Sequence, residues 1–323
     1  MTTIIHSHVL DLKNVGDLMS SPITYFPFTG MENRKLDIHY LNPSFNPPEA
    51  GVQDSVTLET VEKIQQKHLI VGGGGLLYET FKPCYKNLEE VFPRSGGKRI
   101  AWGIGQQIYS GTRRDSDSLP EQLNKVKTTF NYGDYLDSFD LVGIRDYGFA
   151  YDWVPCVTCM HPGFEQKRSP QHEFVVFSHK KFQISLPGFP HTTNASADLG
   201  EILDFLASGE TILTSSFHGA YWGTLLGRKV VMFPFSTKFM TLKYLPGVYP
   251  VQEWRQKGFY FRPFKETFLN KFVIDLRYKN KYGCDLSEWQ TVVKKALVYP
   301  DILEEHRARN RWFYQRVMET LNP

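Results

Sequence analysis

The chain has 323 residues, of which 41% are hydrophobic and 15% aromatic, enough for a packed core in two domains or one large α/β domain. Its formal net charge is only +3, which argues against a nucleic-acid partner, since basic residues would then dominate one face. No apolar run of about 18 residues is long enough for a membrane span, and four cysteines in a chain this size fit a reducing, cytoplasmic compartment.

The N-terminus lacks the basic and apolar regions of a secretory signal, so the Asn194-Ala195-Ser196 sequon reads as chance. Ile4–Leu10 predicts a first core strand, followed by the polar turn Lys13-Asn14-Val15-Gly16-Asp17. Leu69–Val71 predicts a strand followed by Gly72–Gly75 and a helical Leu76–Phe81. Arg99–Trp102 runs into Gly103-Ile104-Gly105, and Leu141–Ile144 runs into Arg145-Asp146. After the stretch Trp153–Pro162 a second series begins, with Glu173–Ser178 as a strand and Ala197–Ser208 as a helix. Thr211–Thr214 and Val230–Phe233 are strands either side of a helix that starts at Ser216 and stops at Gly227. Residues 241–285 show weak periodicity, and the end is helical from Asp285 to Val298 and from Asp301 to about Leu321.

Strands alternating with helices predict two doubly wound, Rossmann-like parallel sheets. The boundary falls in residues 160–170, giving an N-terminal lobe over 1–162 and a C-terminal lobe over 163–323 that carries the last helix across both. In such sheets ligands sit beyond the carboxyl ends of strands, where all the turns above lie.

Several turns have the chemistry for an anionic ligand. Ser215, Ser216 and His218 surround a helix start, whose free N–H groups and dipole favour negative charge. The imidazole titrates near working pH and suits a general acid or base. Arg145 directly follows a strand, and its guanidinium can grip a carboxylate bidentately. Gly73, Gly74 and Gly75 let backbone N–H groups approach a phosphate, although the run has neither the P-loop lysine nor a GxGxxG pattern. The same glycines also fit a tight turn pressed against another element. Asn14 and Asp17 can orient a hydroxyl with Gly16 giving room, or simply cap the next helix.

Cys156-Val157-Thr158-Cys159 is one CxxC without a second ligand pair, and reads as small buried side chains rather than a metal site. The stretch Tyr249–Lys265 interleaves aromatic and basic residues, as core-and-surface alternation or as a face for an acceptor sugar or a membrane. Neither a GxSxG elbow nor HExxH occurs.

Taken together, NVGD at 14–17, VGGGGLL at 71–77, GIG at 103–105, GIRDYG at 143–148 and TSSFHG at 214–219 resemble the polysaccharide pyruvyl transferase family. The resemblance implies two lobes like those of GT-B glycosyltransferases, the acceptor on the first and the donor on the second. It implies transfer of the enolpyruvyl unit of phosphoenolpyruvate to a sugar hydroxyl pair of a cell-surface glycan or its precursor, releasing phosphate. No metal or redox cofactor is expected. The partners implied are phosphoenolpyruvate and a sugar acceptor, free or lipid-linked at the inner membrane face, with no nucleic acid. By resemblance Arg145 binds the donor and His218 acts beside it as the acid or as a phosphate stabiliser. Some members carry Arg-x-His where this chain has Ser216-Phe217-His218. The missing cation would then come from Lys238 first, or from Arg228 or the His179-Lys180-Lys181 group. The competing readings are a nucleotide-sugar glycosyltransferase, which needs a late acidic residue such as Glu253, and a glycan-assembly scaffold without a donor site.

Overall fold

A computed structural model describes residues 2–44, 51–108, 119–256, 261–263, 272–274 and 281–322. The first lobe is a parallel sheet of β1 (Thr3–His8), β2 (Glu32–Asp37), β3 (Lys67–Gly72), β4 (Arg99–Ile104), β5 (Leu141–Ile144) and β6 (Asp152–Trp153). Its order is β2-β1-β3-β4-β5-β6. Helices α1 (Val15–Leu18), α2 (Leu58–Glu62), α3 (Lys82–Lys86), α4 (Leu88–Val91), α5 (Leu119–Thr129) and α6 (Gly133–Leu136) lie in its connections. Strands β1 and β4 are buried along their whole length, as central strands covered on both faces are, although β1 carries Thr3, His6, Ser7 and His8 into the interior.

The second lobe pairs β7 (His172–Ser178), β8 (His191–Thr193), β9 (Gly209–Thr214), β10 (Lys229–Met232) and β11 (Gly247–Val248) in the order β11-β10-β9-β7-β8, again all parallel. Counted from its own first strand, each lobe winds 2-1-3-4-5, the first lobe adding a sixth strand, β6, beyond β5. A sequence without visible repeats thus builds the same winding twice. Helices α7 (Leu199–Ala207), α8 (Phe217–Leu225) and α9 (Trp289–Lys295) complete this lobe.

The last helix, α10 (Ile302–Leu321), joins both cores. Ile302 lies in the second lobe's core, while Phe313, Val317 and Leu321 cover Ile70, Ile100 and Trp102 on one face of the first sheet. Asn310, fully buried, accepts from Trp102 Nε1 at 2.9 Å and donates to the Pro155 carbonyl at 3.1 Å.

Two predicted helices are corrected. Leu76–Phe81 is not helical: Leu77 bonds to Gly105 and Gln107 as an extended bridge, and only a short 3-10 turn at Glu79–Phe81 precedes α3. The helix predicted over Asp285–Val298 shortens to α9. Within the Tyr249–Lys265 run, 257–260 and 264–265 lie outside the described residues, and Trp254 is core, its Nε1 donating to the Pro234 carbonyl.

Candidate functional site

In a parallel open sheet the crevice opens where consecutive crossovers leave to opposite sides, beyond the strands' carboxyl ends. Here those points follow β1 and β3 in the first lobe, and β7 and β9 in the second. They deliver residues 9–17, 72–76, 179–182 and 214–218, and the two lobes face each other across a cleft of about 640 Å³. Its lining includes Asp11, Asn14, Asp17, Gly75, Tyr78 and Gln107 from the first lobe, and His179–Phe182, Asn194, Ser216–His218 and Lys238 from the second.

The lobes are tied at the cleft. Asn194 Nδ2 donates to Asn14 Oδ1 at 2.9 Å, and the Val15 N–H donates to the Asn194 carbonyl at 3.2 Å. Lys180 Nζ reaches Asp11 Oδ2 at 2.5 Å and the Lys13 carbonyl at 3.1 Å. Lys238 Nζ donates to Gln107 Oε1 at 2.6 Å.

His218 stands in the first turn of α8, whose leading N–H groups have no carbonyl in their own helix. Ser216 caps that helix by accepting from the Gly219 N–H at 3.3 Å. The His218 ring lies against Gly16, where an added Cβ would fall 2.0 Å from Nδ1. Gly16 therefore gives room, to the imidazole. Burial, with Arg145, Lys238 and His179 beside it, holds His218 well below its usual range, so the ring is neutral near pH 7. A neutral imidazole still carries one N–H, which can donate a hydrogen bond to an anion. Burial likewise keeps His179 neutral, and its Nδ1 accepts from the Lys181 N–H at 3.2 Å.

Lys238 lies over the rings of Phe235 at 5.1 Å and of Phe217 and Phe239 at 6.0 Å. Burial and the neighbouring Arg145 bring its ammonium down to about 7, against the pull of Asp17. Burial also raises Asp17, with Lys238 and Arg145 opposing.

Arg145 is only 5% exposed and does not line the cleft. It lies beneath the floor, its guanidinium 4.1 Å from the Phe217 ring centroid and Nη2 3.1 Å from a Cβ built on Gly75. Nε and Nη2, the two atoms of its bidentate edge, are buried without a hydrogen-bond partner among the described residues. Asp146 beside it accepts from the Gln106 N–H, Tyr132 and Thr241.

Besides Arg145, four expected ligand contacts do not line the cleft: Ser215, Gly73, Gly74 and Arg228. Ser215 is fully buried, donating to the Phe182 carbonyl and accepting from the His179 N–H at 3.0 Å, so it shapes the loop instead. Gly73 is pressed on Ser20, 2.2 Å from an added Cβ, and Gly74 has φ of 86° with its carbonyl accepting from Gly105. Of that run only Gly75 lines the cleft. Arg228 bonds to the Arg168 and Ala207 carbonyls away from the cleft, so among the described lining residues the cations are Lys180, Lys181 and Lys238.

Gln107 and Asn194 were not singled out as site residues. Gln107 had a readable signal, following Gly103-Ile104-Gly105 at the carboxyl end of a buried strand. Glu253 pairs with Arg255 at 2.9 Å and lines a different groove, beside β11 and α9. Cys156 and Cys159 are buried free thiols, and no described residues form a group of three or more metal-type ligands.

Fold and site together define a two-lobed α/β protein with a cationic cleft between parallel sheets. No family model matches the chain, and no curated protein does. Among solved structures it is similar to an alpha-glucosyltransferase in complex with UDP and a 13-mer DNA containing a central A:G mismatch. That likeness has 9% identity, covers 72% of this chain and 79% of the other, and has a TM-score of 0.37. An alpha-glucosyltransferase in complex with UDP and a 13-mer DNA containing a HMU base matches with the same identity and coverage and a TM-score of 0.36.

Proposed function

We propose that this chain is a pyruvyl (ketal) transferase, moving the enolpyruvyl group of phosphoenolpyruvate onto two hydroxyls of a sugar. What supports the reading is convergence: three of the five motifs supply lining of one cleft, among it Asn14, Asp17, Gly75 and Ser216–His218, and the other two pack Gly105 and Arg145 together behind Gly75. Phosphoenolpyruvate carries a phosphate and a carboxylate. The cleft offers Lys238, Lys180, Lys181 and the α8 N-terminus against two carboxylates, Asp11 and Asp17.

In this reading the phosphate sits at the start of α8, with His218 donating to it and Arg145 adding field from below. Lys238, with a proton affinity matched to neutral pH, gives its proton to C3 of the donor. C2 becomes oxocarbenium-like and is attacked by the first hydroxyl, whose proton restores the ammonium. The second hydroxyl then displaces phosphate at C2, closing the ketal, and its proton leaves with the phosphate. The acceptor is a sugar of a surface glycan or its precursor, free or lipid-linked; no helix among the described residues is long and apolar enough to cross a membrane.

Thermal-shift titration tests this directly, because a ligand that binds only the folded state raises the melting temperature by mass action. Phosphoenolpyruvate should stabilise the protein, less so in Arg145→Ala, and release inorganic phosphate when candidate acceptors are added. Stabilisation by nucleotide sugars alone would transfer the case to a glycosyltransferase.

A further inference from the structure

His218 is held from behind as well as from the cleft. Its Nε2 lies 3.6 Å from Cys156 Sγ, which lies 3.3 Å from Thr158 Oγ1. Thr158 Oγ1 in turn accepts from Trp222 Nε1 at 2.9 Å. Thr158 and Trp222 are fully buried and Cys156 nearly so, which leaves the chain of groups no solvent partner. The segment carrying Cys156 and Thr158 is clamped from both sides. Tyr221 Oη donates to the Cys156 carbonyl at 2.9 Å, and Asn310 holds the preceding Pro155 carbonyl at 3.1 Å.

The direction of this chain follows from what each group can do. An indole N–H can only donate. Thr158 Oγ1 therefore accepts from Trp222 and has one proton to place. Among the described residues the only acceptor within reach of that proton is Cys156 Sγ. The thiol proton is then left for His218 Nε2. With Nε2–H donating to sulfur instead, either the threonine proton or the thiol proton is left without an acceptor in a dry interior, so only the Nδ1–H tautomer places every proton of the chain.

We infer that Trp222, Thr158 and Cys156 form a one-way hydrogen-bond relay that fixes His218 as the Nδ1–H tautomer, making Cys156 a positioning residue. The outcome is a neutral imidazole that keeps a hydrogen-bond donor on the Gly16 edge of the ring, beside the cleft. Burial pushes the Cys156 thiol up, so it keeps the proton it must donate. The functional use of that donor rests on the transferase reading above; the tautomer itself does not.

Long-range nitrogen–proton correlation NMR on the full chain with isotope-labelled histidine reads the tautomer without any ligand, His218→Gln identifying its signals. The wild type should show a protonated Nδ1 and an unprotonated Nε2. Cys156→Ser, which keeps a donor, should leave that pattern. Cys156→Ala and Thr158→Val should each move the tautomer ratio about fivefold towards Nε2–H, equivalent to one ordinary hydrogen bond of about 1 kcal/mol. A wild-type Nε2–H tautomer overturns the relay, and so does an unchanged Nδ1–H pattern in both Cys156→Ala and Thr158→Val. Circular dichroism of each variant shows that it is folded, and Cys156→Ser keeps the test decisive if Cys156→Ala is not. If the relay holds while phosphoenolpyruvate fails to stabilise the protein, the transferase reading falls and the relay stands.

Discussion

Lys238 concentrates the chemistry of the cleft in one titratable group. An anion meets its ammonium, so binding requires the protonated form, and burial has brought that form's limit down to about 7. Affinity for phosphoenolpyruvate should therefore weaken above pH 7, approaching about tenfold per pH unit if the free ammonium is required. Lys238→Met should bind weakly with a flat pH profile, measured by calorimetry at several pH values. Stability runs the other way. A lysine depressed in the folded state costs stability below about pH 7, and the cost is relieved as pH rises towards the ordinary lysine range. Lys238→Met should accordingly melt higher than the wild type at pH 6. Gly16 is the second decisive residue. A methyl there falls on His218 Nδ1, so Gly16→Ala should destabilise by about 1–3 kcal/mol through overpacking and displace the ring from Cys156. A wild-type urea midpoint with unchanged His218 signals would contradict that packing.

At the scale of elements, the parts legible in the sequence are those dictated by local chemistry. Ile212 and Leu213 belong to a strand buried on both faces, Ser216 caps α8, and Gly227 takes φ of 65° just past its end. Ser216→Ala should cost about 1 kcal/mol, read as a lower melting temperature, because the Gly219 N–H loses its partner. Leu76–Phe81 misled because its apolar spacing fits a helix as well as a bridge. Leu77 is held extended by Gly105 and Gln107, residues that local periodicity does not register. Ser215 shows the same limit in a site residue. Its hydroxyl looks free beside a helix start, yet a loop 33 residues away takes it.

At the scale of the whole molecule, the lobes matter because two equal windings face each other and bring their strand ends to one cleft. The residues that hold this arrangement were the least legible: Asn14 meets Asn194 180 positions away, and Trp102 meets Asn310 208 positions away. Asn14 stands in a readable turn, but nothing local marks Asn194 or Asn310 as its partner or Trp102's, because each pairing forms only when distant segments pack. Asn310 joins α10 to β4 and to the segment that carries Cys156, so it links the first lobe's core to the back of His218. Asn310→Leu keeps the branching of the side chain but strips partners from Trp102 Nε1 and the Pro155 carbonyl, both in the interior. Each buried orphan costs about 1–3 kcal/mol, so for the two a loss of about 2–6 kcal/mol is expected as a lower urea midpoint at unchanged slope. Adding Trp102→Phe removes the orphan donor, so the double variant should lose less than the two single losses added together. Simple additivity would mean that the Trp102–Asn310 bond contributes nothing to holding α10 against β4.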